Sequence, residues 1–157
     1  MKRNESGSSA VEFALVSGVL FLVVFGIIQY GLYFNDALSV RQAVREAARH
    51  GVVRDVPACG TETAELDQLA CYTKKQVGAL TGPTYVKVLP PATWKKGAPL
   101  TVCAMVKSDG GIGLLPMPDD GWITSKTQLS IEQDKYPLPV GAAAAPNPPG
   151  ADWNWCV

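Results

Sequence analysis

The chain has 157 residues, with 14 Lys or Arg balancing 14 Asp or Glu, so its formal net charge is zero. No broad field draws it to nucleic acid or anionic lipid, and no nucleic-acid partner is expected. Hydrophobic residues make up 47%. The first 34 positions hold a heavy share of these, which leaves about 100 residues for one modest soluble core.

A polar leader, MKRNES, runs into GSSAVEFALVSGVLFLVVFGIIQYGLYF, residues 7–34. From Phe13 to Phe34 there is no charged side chain over 22 residues. A helix of that length measures about 33 Å, against a hydrocarbon core of about 30 Å. One membrane pass is predicted, over about residues 11–34. The run is too long for the apolar part of a secretory signal, and FNDALS after it lacks a small-x-small cleavage site, so a retained anchor is predicted. Lys2 and Arg3 favour a cytoplasmic N-terminus, although Arg41, Arg45 and Arg49 flank the other end. Four cysteines in a short ectodomain suit an oxidising compartment. Residues beyond about Asn35 are therefore expected outside the cytoplasmic membrane, in a single-pass arrangement.

Glu12 stands one residue before the apolar run. A carboxylate there either snorkels into water or serves a function that needs a partner. Cutting after Gly7 would make Ser8 the new N-terminus and put Glu12 at position five. That is about one helical turn, so the free α-amine of one copy and the carboxylate of a neighbour could meet. At 4 Å and an effective dielectric near 20 the attraction is roughly 4 kcal/mol. Desolvation removes part of it, which leaves registry as the main benefit.

A Gly, four small or apolar residues, Glu, an aromatic and then an apolar helix resembles the processing site of type IV-type pilins. The wording GSSAVEFALV, with FGIIQYG ending the helix, resembles TadE-like minor pseudopilins of the tight-adherence (Flp) pilus system. The resemblance is strong over residues 7–34, fair through the next helix, and beyond that only a general order of helix then strands. It implies a cytoplasmic leader, residues 1–7, removed between Gly7 and Ser8 by a prepilin peptidase, with Glu12 and Phe13 used in assembly. Implied partners are that peptidase, other pilins and pseudopilins, an inner-membrane assembly platform and membrane lipid. Many relatives carry an acid where this chain has Gln29, so a second intramembrane charge is absent.

After the span, Val40, Val44, Ala47 and Ala48 share one helix face, while Arg41, Arg45 and Arg49 share another. Gly51 is a credible helix end, which predicts one rod over residues 8–50. Gly18, Gly26 and Gly31 inside it lower helix propensity but permit close helix packing in a membrane. An extracytoplasmic domain is expected over 51–135, beginning with the loop GVVRDVPACG. TETAELDQLACYTKKQVGALTG reads as a second helix, with Leu66, Leu69, Ala70, Val77 and Leu80 inward and Gly82-Pro83 as its stop. Glu62 and Glu65 near its start and Lys74 and Lys75 near its end suit the helix dipole. Strands are predicted at 84–89, with Val86 and Val88 inward, at 99–107, with Leu100, Val102, Ala104 and Val106 on one face, and at 122–132, with Ile123, Leu129 and Ile131 inward. The connections PATWKKGA and SDGGIGLLPMPDDG are rich in turn residues and suit antiparallel neighbours. The expected fold is α+β: a long N-terminal helix, a second helix and a small antiparallel sheet of about three strands. Residues 136–157 read as an extended Pro/Ala-rich strap, pinned at its tip by Trp153, Trp155 and Cys156.

Four cysteines allow three pairings. Cys59 with Cys71 and Cys103 with Cys156 is favoured, the first closing a local loop and the second stapling the strap over the outer face of the 99–107 strand. A zinc site is the sharper alternative, but there is no C-x-x-C and a single histidine. His50 ends a helix, where a cation is favoured, and no nucleophile motif accompanies it. Asp119 and Asp120 sit in a turn composition, and SDGGIG lacks the lysine and setting of a phosphate loop. No acid/base, nucleophile or metal constellation stands out, so no enzyme activity and no cofactor are expected. The predicted role is a structural one in tight-adherence pilus assembly for surface attachment. The alternative is a signal-anchored single-pass protein carrying an extracytoplasmic binding module.

Overall fold

Helix α1 runs from Ser6 to Val53, 48 residues and about 72 Å. The computed structural model describes residues 6–78, 82–108, 113–134, 141 and 145–157, with the backbone alone at 6–8. The remaining elements are α2 (Glu65–Val77), β1 (Thr84–Leu89), β2 (Pro99–Lys107) and β3 (Trp122–Ser130), with 3-10 turns at Pro118–Gly121 and Asn154–Cys156. The sheet is antiparallel in the order β1-β2-β3. The architecture is α+β, with the long apolar helix, the second helix and the three strands that the sequence patterns predict.

Two helix ends differ from expectation. Gly51 does not terminate α1. The helix passes through it, and the left-handed residue is Arg54, at φ 52°. The Asp55 N–H donates to the His50 carbonyl at 3.1 Å and the Arg54 N–H to the Gly51 carbonyl at 3.2 Å, the paired bonds of a Schellman cap. Gly51 is small for another reason: a Cβ there would lie 2.5 Å from Leu100 Cδ2 and 2.8 Å from Leu69 Cδ2. Helix α2 is shorter than the pattern suggested, starting at Glu65 and closing on Gly78 in the left-handed region rather than at Gly82-Pro83. Leu80 of its predicted stripe lies outside the described residues.

The core lies between the helices and one face of the sheet. Val40, Val44, Ala47 and Ala48 of α1 are fully buried, as are Leu69 of α2 and Leu100, Val102, Ala104 and Val106 of β2. Helix α1 packs over β2 and β3, and α2 over β1. Arg41, Arg45 and Arg49 face water. Strand β3 keeps Ile123 inward and ends at Ser130, two residues short of its prediction. Ile131 instead exchanges hydrogen bonds with Gly97 and Ala98 at the turn between β1 and β2.

Alternation marks one buried face of β2, and Cys103 and Met105 on its other face are also fully buried, as the expected strap over that face requires. The C-terminal segment supplies the cover: Trp153 and Cys156 are buried there, with Ala145, Ala151 and Trp155 packed around them. Residue 135 and residues 136–140 and 142–144 of the strap lie outside the described residues. Strand β2 runs antiparallel to α1, with Leu100 beside Gly51 near the helix C-terminus. Its far end therefore delivers the β2–β3 connection towards the bare, apolar half of α1.

Candidate functional site

The N-terminal half of α1 has little protein around it. Val11, Phe13, Leu15, Val16 and Val19 are each more than 60% exposed. A helix apolar on all sides must be covered by lipid or by other helices. Its mean hydropathy reaches 2.6, and it is long and apolar enough to cross a bilayer. Glu12 is exposed on the same stretch, and none of the described residues pairs with it. Phe13, next to it, is 70% exposed. The Gly7–Ser8 bond lies in the first helical turn, and the side chain of Ser8 falls outside the described residues. Within one chain, then, Glu12 and Phe13 stand uncovered on the rod, one helical turn beyond the Gly7–Ser8 bond.

Among the described residues, the α+β domain first covers α1 at Gly26, which is buried beneath the connection between β2 and β3. A Cβ on Gly26 would stand 3.0 Å from Leu115 Cδ1. Three residues on, Gln29 is fully buried, and its amide is used at both ends. Its Oε1 accepts from the Leu114 N–H at 3.1 Å and the Leu115 N–H at 3.0 Å. Its Nε2 donates to the Leu115 carbonyl at 2.7 Å and to Met117 Sδ at 3.1 Å. The Tyr30 hydroxyl donates to the Pro116 carbonyl at 2.9 Å. An ionised acid at position 29 could accept the two N–H bonds but could not donate to the Leu115 carbonyl. Sequence reading treated Gln29 as a missing charge and the connection as a turn, and so missed this clamp. The available signal was an adjacent Gln-Tyr pair at the end of an apolar span, with a Leu-Leu-Pro-Met run elsewhere to receive it.

Two disulfides hold the rest. Cys59 is bonded to Cys71 and Cys103 to Cys156, so no described thiol is free. The first ties the loop after α1 to α2, and the second pins the strap to the central strand. Arg54, its side chain only 10% exposed, donates from Nε to Glu65 Oε1 at 2.8 Å and from Nη2 to Glu65 Oε2. That hydrogen bonding raises the guanidinium pKa above its ordinary value against the opposing effect of burial. His50 is engaged on both sides: its Nδ1 lies 2.8 Å from the Asp55 carbonyl and its Nε2 3.2 Å from Glu46. Asp119 and Asp120 are exposed, in left-handed backbone. Among the described residues no group of three or more His, Cys, Asp or Glu could hold a metal ion.

The fold and site define a helix-anchored α+β protein: a long N-terminal rod, bare at its head and clamped to a disulfide-stapled domain along its second half. Residues 7–49 match the family model described as TadE-like protein. The match covers all but the first residue of the bare half of α1 and most of the half that carries the domain. No curated protein and no solved structure matches the chain.

Proposed function

We propose that this chain is a minor pseudopilin of a tight-adherence (Flp-type) pilus, processed by a prepilin peptidase after Gly7 and used without enzymatic activity in assembling a surface-attachment filament. The observation that carries this reading is the TadE-like match over residues 7–49, which begins at Gly7, the predicted cleavage residue. The apolar helix sits in the cytoplasmic membrane with its N-terminus cytoplasmic and its domain outside. After cleavage, the α-amine of Ser8 and the Glu12 carboxylate of a neighbouring copy set the axial register. Phe13 and the exposed apolar side chains after it pack among equivalent helices. The first turn of α1 is easily opened for the peptidase, because first-turn N–H groups lack intrahelical partners and Gly7 is a weak helix former. Partners are other pilins and pseudopilins and the inner-membrane assembly platform.

Mass spectrometry of the mature protein tests the first step: an N-terminus at Ser8 is expected, and an intact Met1 in assembled material overturns it. A bulky residue at Gly7 is expected to block cleavage. Glu12→Ala is expected to allow cleavage and impair fibre assembly. Normal surface fibres from both variants would assign the chain instead to an anchored module that stays in the membrane.

A further inference from the structure

We propose that the Leu114–Met117 loop is a lipid-contacting wedge, seated at the acyl–headgroup boundary of the leaflet farther from the N-terminus, which lays the ectodomain on the bilayer surface. The proposal rests on α1 being seated in a membrane and adds a second point of contact with it.

Depth comes first. If Phe13 marks the near edge of the hydrocarbon, Gln29 lies about 24 Å along the helix, inside a layer about 30 Å thick. The loop clamped to Gln29 is carried to the same depth. Irregular backbone is tolerated at that depth only when its polar groups are satisfied by protein. Four of this loop's are met by α1 side chains: Gln29 takes the N–H groups of Leu114 and Leu115 and the carbonyl of Leu115, and Tyr30 takes the carbonyl of Pro116. Pro116 and Pro118 have no N–H to satisfy.

What the loop leaves outward is apolar. Leu114 is 49% exposed and Pro116 is exposed, at a height where Ile27 and Ile28 of α1 are also exposed. Charge begins immediately afterwards, at the exposed Asp119 and Asp120. There Lys107 donates to the Asp120 carbonyl and lies 5.2 Å from the centre of the Trp122 ring. An apolar tip, then an amphipathic aromatic and charged groups, is the order of a membrane interface read from inside outwards. The tip is continuous with the exposed Ile27 and Ile28 of the anchoring helix, which favours lipid as its cover.

The test uses the full chain with its native disulfides, reconstituted dilute into phosphatidylcholine/phosphatidylglycerol vesicles, and one environment-sensitive fluorophore on an introduced cysteine. Labels are placed at L114C, at L20C in mid-span and at K95C in the turn at the opposite end of the sheet, with P116C as a second loop site should L114C misfold. Nitroxide lipids labelled high on the acyl chain are expected to quench the loop label several-fold more than the Lys95 label, while deep nitroxides quench the Leu20 label. Iodide in the water should reach the Lys95 label and spare the loop. A loop label as open to iodide as that at Lys95, with Leu20 still in lipid, overturns the wedge and leaves the anchor intact. Leu20 in water removes the anchor and the wedge together. A loop label shielded only at protein densities where copies associate assigns the loop to a protein partner and overturns the lipid contact.

Discussion

Leu100 Cδ2 occupies space 2.5 Å from where a Cβ on Gly51 would stand. Leu69 approaches the same point from α2, and both leucines are fully buried, so three elements converge on one missing methyl. In a bare helix Gly51→Ala would gain about 1 kcal/mol of propensity. Here overpacking of about 1–3 kcal/mol opposes it. We expect net destabilisation and a lowered Tm of the α+β domain, read by tryptophan fluorescence of the full-length protein in detergent. An unchanged or raised Tm would show that the two leucines yield freely.

The Gln29 clamp makes a graded prediction. Gln29→Ala removes the acceptor of two N–H groups and the donor to a carbonyl, each an orphan worth about 1–3 kcal/mol when buried. Hydrogen exchange at the Leu114 and Leu115 amides should accelerate about tenfold or more. Gln29→Glu in its ionised form keeps the acceptor, loses the donor, and should fall between wild type and Gln29→Ala. Equal exchange in all three proteins would mean that the loop is held by something else.

The disulfides differ in reach. Cys59–Cys71 spans 12 residues and Cys103–Cys156 spans 53. Loop entropy then gives about 3 and about 4 kcal/mol respectively. Replacing both members of the longer pair with Ala should lower stability more and also uncover Met105 and Trp153. Denaturant midpoints of the two double variants check the order, and dynamic quenching of tryptophan by acrylamide checks the uncovering.

Arg54 holds Glu65 through two nitrogens in a largely buried setting. A lysine cannot reproduce that fork, so Arg54→Lys should cost about 1–2 kcal/mol. The guanidinium is raised, so its contribution is complete below the ordinary arginine range and is lost only as pH climbs past the raised value. The gap in stability between wild type and Arg54→Lys should accordingly stay constant from neutral to mildly alkaline pH, as read by urea unfolding.

Much of the architecture was legible in the sequence because it depends on period. The uncharged run ending at Phe34, the α1 stripe through Val40 and Val44, and the alternation of β2 each bury a face whose spacing states the element. The resemblance carried by residues 7–34 was likewise legible, being local along the chain, and the TadE-like match spans it. The actual helix stops were not. Arg54, rather than a glycine, takes the left-handed position, held in a Schellman cap and paired with an acid eleven residues away.

The sequence by itself determined that a long apolar rod carries a small α+β domain with four cysteines, because periodicity and composition are properties of neighbouring residues. Only the tertiary structure decided that Gln29 meets Leu114 and Leu115, 85 and 86 residues away, and that Gly51 is a contact rather than a cap. Those outcomes depend on which distant surfaces come to share one volume. A buried amide must find its partners wherever folding places them, and the distance along the chain does not say where that is.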